Sequence, residues 1–169
     1  MRPDLSRVGS WYHNYINQVQ NDDLLSAFET ESPALIQFFE GIPHPLRLHR
    51  YAEGKWSIQE VIQHLVDAER IFNYRALRFA RKDTTPLPGF DENMYVAKAR
   101  AEERRWEDLL EEMKIVRQSS RLLFQSFNEE ELEADGVSSN NPMYVRGIGY
   151  IIIGHAMHHQ RIIRERYLQ

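Results

Sequence analysis

The sequence contains no cysteine. That excludes disulfides, thiolate metal sites and a catalytic thiol supplied by the chain itself. It is compatible with a reducing compartment, and the expected location is the cytoplasm. Long apolar runs are also missing. The longest aliphatic stretch, near Tyr150 to Ile153, is far too short to span a bilayer, so no membrane association is expected. Met1 to Gln20 carries polar residues throughout, and without an apolar segment there no signal peptide is expected. Basic residues are not in surplus. Twenty-one Lys and Arg stand against 25 Asp and Glu, a net charge of −4, and no basic cluster advertises a nucleic-acid partner. Arg78, Arg81 and Lys82 form the densest basic group, which suits the negative end of a helix dipole.

Proline and glycine are absent where it matters most. Neither occurs from Lys55 to Thr85, nor from Phe90 to Asp135, and both gaps leave room for long helices. With 42% hydrophobic and 27% charged residues, the composition is that of an ordinary globular chain, and 169 residues suit one domain spanning 1–169.

The clearest helix starts at Ser57, where Glu60 three residues on completes a capping box. Ile58, Val61, Ile62, Leu65, Ala68, Ile71, Phe72 and Ala76 then recur with helical period, and the helix is expected to end near Lys82. An earlier helical region places Trp11, Tyr15 and Val19 on one face, continued by Leu24, Leu25 and Phe28. Pro33 is expected to interrupt it, leaving Ala34 to Glu40 as a second or kinked segment. A third helix is expected from Glu92 or Glu102 to Phe127, with Trp106, Leu109, Leu110, Met113, Val116 and Leu123 buried. A fourth is expected from Asn141-Pro142 to Tyr167. Gly147, Gly149 and Gly154 weaken it by ~1 kcal/mol each relative to Ala, which points to a neighbour packed close by. No segment alternates with period two, so strands are not expected beyond a short loop pairing. The sum is an all-α four-helix bundle with short extra N-terminal helical segments.

Three of the seven histidines fall within Gly154-His-Ala-Met-His-His-Gln160. His155 and His159 are four apart, which on a helix sets their Cβ atoms roughly 5–6 Å from each other. Composition alone gives about 0.3 such pairs in a chain of this make-up, so the spacing is only a weak signal. Both residues lie on the apolar stripe, however, where two adjacent imidazoles need partners. His64 lies between Val61 and Ala68 on the inward face of the preceding helix and is the third candidate. Bundles build metal sites from facing helices in this way. Three imidazoles leave a fourth position open for water or substrate. His158 is about 100° round the helix from His159, in a supporting or exposed position. His13, His44 and His49 have no partner at metal spacing.

The sequence resembles the DinB/YfiT-like family of metal-dependent enzymes. The resemblance is carried by Tyr51-Ala-Glu-Gly-Lys-Trp-Ser-Ile-Gln-Glu-Val-Ile-Gln-His-Leu-Val-Asp-Ala-Glu-Arg70, by Tyr74-Arg-Ala-Leu-Arg78 and Leu87-Pro-Gly-Phe-Asp91, and by Ile153-Gly-His-Ala-Met-His-His159 with Arg166-Tyr167. It runs from about Tyr51 to the C-terminus; the first 50 residues match only loosely. It implies an up-down-down-up four-helix bundle and a metal site with His64, His155 and His159 as ligands. It also implies zinc or nickel as the ion, and a homodimer. Relatives include thiol-dependent S-transferases, a thiol-dependent isomerase and proteins regarded as metal-dependent hydrolases. Many carry a Glu directly after the first histidine of the last block, where this chain has Ala156.

Two chemistries fit an open three-histidine site. One is a thiol-dependent S-transferase, in which a low-molecular-weight thiol occupies the open position and attacks an electrophile. The other is a hydrolase, in which water attacks an acyl or amide carbon and a nearby base is normally required. A non-catalytic metal or small-ligand carrier is a third reading, and a purely structural metal a fourth. Asp67 and Glu60 are candidates to orient His64, or else surface carboxylates. Trp56, Phe90 and Tyr95 are candidates to wall a pocket, or else packing residues. Arg75 is a candidate for an anionic substrate group, or else one half of an ion pair. No catalytic residue is assigned from sequence.

Overall fold

The computed structural model describes all residues from Met1 to Gln169. Two 3-10 turns, Leu5–Arg7 and Ser10–Tyr12, lead into a single helical turn, α1 (His13–Ile16). Four long helices follow: α2 (Leu24–Glu40), α3 (Ile58–Ala80), α5 (Trp106–Gln125) and α7 (Val145–Arg166). Shorter pieces lie between them: α4 (Glu92–Ala99), α6 (Glu129–Leu132) and a hairpin of β1 (Asp135–Ser138) and β2 (Asn141–Tyr144). The four long helices form a ring in which α2 and α3 each pack against α5 and α7. The chain therefore crosses a diagonal of the bundle twice, from α2 to α3 and from α5 to α7.

The capping box at Ser57 forms as expected. Its hydroxyl accepts from the Glu60 N–H, and the Glu60 carboxylate accepts from the Ser57 N–H at 2.8 Å. This fixes the start of α3 and hence the phase of its buried face, which carries His64.

Three expectations are corrected. The first region divides before Leu24 and not at Pro33: α1 ends at Ile16, and α2 runs as one helix through Pro33, so the segment after the proline is a continuation and not a second helix. Ala27 and Phe28 before the proline, and Leu35 and Phe39 after it, are buried, while Pro33 faces outward. Packing on both flanks holds the helix across the missing hydrogen bond. Of the two expected starts for the third helix, Glu92 fails and Glu102 is the nearer: α4 ends at Ala99 and the long helix α5 begins at Trp106. Arg100 turns left-handed at φ 50°, and the buried Gln59 side chain donates to the Ala101 and Arg104 carbonyls at 2.7 and 2.8 Å, taking up groups that a continuous helix would pair internally. Asn141-Pro142 does not cap the last helix. It belongs to β2, and Ser139 and Asn140, both with positive φ, form the two-residue turn of the hairpin. The last helix starts four residues later than Asn141, at Val145.

The apolar core falls into two clusters. One contains Ala68, Phe72, Ala76 and the stretch of α7 from Val145 to Ile153. The other contains Ile58 to Val66 on α3 together with Ala156 and Ile163 on α7. Polar side chains sit at the level where they meet. His64 and His155 lie at the seam of α3 and α7, and the Glu69–Arg117 pair, at 2.9 Å and almost wholly buried, joins α3 to α5.

The N-terminal turn docks directly on α7. A Cβ on Gly154 would lie 1.9 Å from the Tyr15 carbonyl oxygen, so the two backbones touch. Gly149 meets Leu24, and Gly147 meets Val8 and Tyr144, which accounts for the glycines in this helix.

Candidate metal centre

His64 and His155 are buried, and His159 is half-buried. The His155 Nε2 lies 3.1 Å from the His64 Nε2 and 3.1 Å from the His159 Nε2. All three ligand atoms lie within 4.8 Å of one another. Burial pulls the His64 imidazole down to about 4 and holds His155 and His159 well below the ordinary histidine value. The rings are therefore neutral at pH 7. The single Nε2 of His155 cannot satisfy both neighbours as a hydrogen-bond partner. A divalent cation can satisfy all three. Nitrogens bound at about 2.0–2.1 Å in a tetrahedron stand roughly 3.3 Å apart, near the 3.1 Å that separates His155 from each of the other two. The donor set fits a metal ion.

Aromatic side chains enclose the triangle. Trp56 packs on His64 with ring centroids 4.8 Å apart and stacks on His159 at 6.5 Å. The Tyr167 hydroxyl, donating to the Trp56 carbonyl at 2.8 Å, anchors that segment. Tyr15 sets its ring against both His155 and His158, at 5.2 Å in each case. A cleft of about 270 Å³ opens from the histidines along α3, past Ala68 and Phe72 to Arg75 and Phe90.

The other candidates divide. Glu60 is committed to its cap and to Arg50, and Asp67 accepts from the Gln63 amide at 3.0 Å. Neither orients His64. Trp56 and Phe90 line the cleft, whereas Tyr95 packs on the far side of Phe90 and is exposed. Arg75 makes no ion pair; it donates to the Pro88 carbonyl and the Ser139 hydroxyl. His158 lines the cleft beside the triangle. His13 is structural, its Nε2 lying 3.0 Å from both the Leu5 and the Val8 carbonyl oxygens. Trp11, placed on a buried face from sequence, is exposed at the mouth of the cleft. Tyr12 and Tyr15 are walls of the site that the sequence did not reveal. The pointer was Gly154, whose missing side chain lets Tyr15 reach the histidines.

The sequence matches the model of the DinB superfamily over residues 27–163, most of the chain. The chain belongs to the DinB superfamily. Among solved structures, it is similar to YfiT from Bacillus subtilis, a probable metal-dependent hydrolase with an unusual four-helix bundle topology. That likeness covers 98% of this chain and 90% of YfiT, with a TM-score of 0.70 and 15% sequence identity, and it shows the shared fold. No curated protein matches the sequence. Tyr12 and Tyr15 precede the span matched by this DinB superfamily model, so this wall of the cleft lies outside it. No helix of this DinB-type bundle is long and apolar enough to cross a membrane.

Proposed function

We propose that this protein is a metal-dependent enzyme in which His64, His155 and His159 hold one zinc or nickel ion beside a substrate cleft. The observation that carries the reading is the convergence of three imidazole nitrogens at the inner end of an open cleft. A divalent ion held there supplies a Lewis acid that makes a water or thiol nucleophilic at neutral pH. The chain's own residues do the rest. The capping box fixes the phase of α3 and thus the placement of His64. Trp56, Tyr15 and Phe72 shield the site from solvent and offer apolar surface to a substrate.

A low-molecular-weight thiol is the nucleophile best suited to this lining, which makes the protein a thiol-dependent S-transferase. Free thiols ionise near pH 8.5, so activation needs little help from a protein base. Glu60 and Asp67, the carboxylates nearest His64 in sequence, are engaged elsewhere. Ala156, where many relatives carry Glu, is buried in the apolar cluster. Hydrolysis is the second reading, favoured by the likeness to YfiT and by the place of His158 in the cleft wall. A homodimer and a cytoplasmic location belong to the same proposal.

The test uses protein purified without a histidine tag and reconstituted with zinc or nickel. It is assayed with a small thiol and a chromogenic electrophile, and separately with a chromogenic ester without thiol. Thiol-dependent turnover that is lost in His155→Ala supports the transferase. Ester turnover without thiol, lost in the same variant, moves the assignment to hydrolase. Failure to bind any divalent ion overturns both.

A further inference from the structure

Three arginines of this chain are buried, and they differ in one respect. Arg117 pairs with Glu69 at 2.9 Å, and Arg146 pairs with Glu129 and Glu133 at 2.5 and 2.9 Å. Arg75, the most buried at 2% exposure, has no carboxylate partner. Its Nη2 donates to two neutral oxygens, the Pro88 carbonyl at 3.1 Å and the Ser139 hydroxyl at 3.2 Å. Nε and Nη1 have neither carboxylate nor carbonyl. The Tyr12 hydroxyl is beside the guanidinium, and Glu92, at the mouth of the same cleft, does not close into an ion pair. A guanidinium stays charged at any physiological pH, and a buried charge without a counter-ion is costly.

The fold holds that charge in a fixed place. Arg75 is eleven residues after His64 on α3, close to three full turns, so both side chains leave the same face. Ala68 and Phe72 lie between them and form the floor of the cleft. The Phe72 ring is 5.6 Å from the guanidinium carbon and 6.3 Å from the His155 ring, so the two ends are separated by no more than those spans combined. The neutral oxygens are themselves braced. The Leu87 N–H donates to the Val137 carbonyl, and the Ser139 N–H donates to the Leu87 carbonyl, tying the loop that carries Pro88 to the hairpin that carries Ser139.

We propose that Arg75 is the anion-recognition residue of this cleft. It binds the carboxylate of a small substrate whose apolar or aromatic body lies along Phe72 and Phe90 and whose reacting group reaches the three histidines. The guanidinium donates to the two neutral oxygens through Nη2 and keeps Nη1 without a carboxylate or carbonyl partner, so a substrate carboxylate can take a charge-assisted hydrogen bond there. The inference rests on the reading of the cleft as a substrate site, but the anion site itself does not need the metal.

The experiment is an NMR titration of the full chain, as purified and after removal of metal by a chelator. The probes are 3-phenylpropionate, 3-phenylpropionamide and phenyl phosphate. The expected result is that the carboxylate binds and shifts the Arg75 Nε–H signal, and that the amide binds more weakly by about tenfold. Arg75→Gln should remove that preference, while His64→Ala keeps it. Comparable binding of acid and amide overturns the proposal, and so does unchanged carboxylate binding in a folded Arg75→Gln protein. Phenyl phosphate binding clearly tighter than the carboxylate overturns the choice of carboxylate. Binding that vanishes with the metal places the carboxylate on the ion and overturns the role of Arg75. The comparison of probes on the unaltered protein stands even where Arg75→Gln does not fold. If no metal ever binds but the carboxylate preference persists, it is the metal-enzyme reading that fails.

Discussion

The Tyr15 carbonyl oxygen occupies the position from which a side chain on Gly154 would grow, 1.9 Å from the would-be Cβ. The contact joins the N-terminal turn to the helix that carries two of the three histidines, one residue before His155. Gly154→Ala should therefore push α1 off α7. The expected cost is about 1–3 kcal/mol from overpacking, reduced by the ~1 kcal/mol that Ala gains over Gly in a helix. Urea denaturation measures this. A variant as stable as the parent, with unchanged metal affinity, would show that the close approach is not needed.

Metal content should depend on three histidines and no others. His64→Ala and His155→Ala are each expected to lower bound zinc or nickel from about one ion per chain to background. His44→Ala should leave it unchanged, since His44 lies in a separate 3-10 turn. Elemental analysis of untagged protein decides this, and full retention in both site variants would remove the centre from this location.

Acid should destabilise the metal-free protein before most carboxylates titrate. In the folded chain burial holds His64 near about 4, below its ordinary value of 6.5. Between those values the unfolded chain binds a proton that the folded chain does not. Stability is thus fully present above about pH 6.5 and lost progressively as pH falls toward about 4. His155 and His159, also depressed, act in the same direction. Urea midpoints across this range should fall with acidification, and His64→Leu should flatten the dependence. A parent midpoint that does not change over that window would contradict the burial of neutral rings.

The Glu69–Arg117 pair should behave as a unit. Glu69→Gln or Arg117→Met alone leaves one buried charge unmatched, with an expected loss of about 3–5 kcal/mol. Replacing both should recover much of that loss. A double-mutant cycle in urea tests this, and independent, additive losses would argue against coupling.

Much of the site was legible because its signals are local. The Ser57–Glu60 capping box fixed where α3 begins, and the spacing of His155 and His159 needed only helical periodicity. What escaped depends on contacts distant in sequence. Arg100 breaks a helix without glycine or proline because Gln59, more than forty residues earlier, donates its side-chain amide to the free carbonyls. Pro33 stays inside a helix because residues on both sides of it are buried. The role of Tyr15 depends on a backbone contact with Gly154, which no periodicity reports. Glu60 and Asp67 lie within a turn of His64 along the chain, but each has a nearer polar partner.

The belt of polar side chains between the two apolar clusters has a consequence for cooperativity. Apolar packing is interrupted at the level of His64 and His155, and α3 and α7 run through both sides of the interruption. On the proposed function, an ion held by His64 from one helix and by His155 and His159 from the other would act as a rivet at the waist of the bundle. With the rivet in place the two lobes should melt together. Once it is withdrawn by a chelator, amide exchange should quicken first around the waist, and the lobe containing Ile58 to Val66 should open at lower denaturant than the lobe packed on Val145 to Ile153.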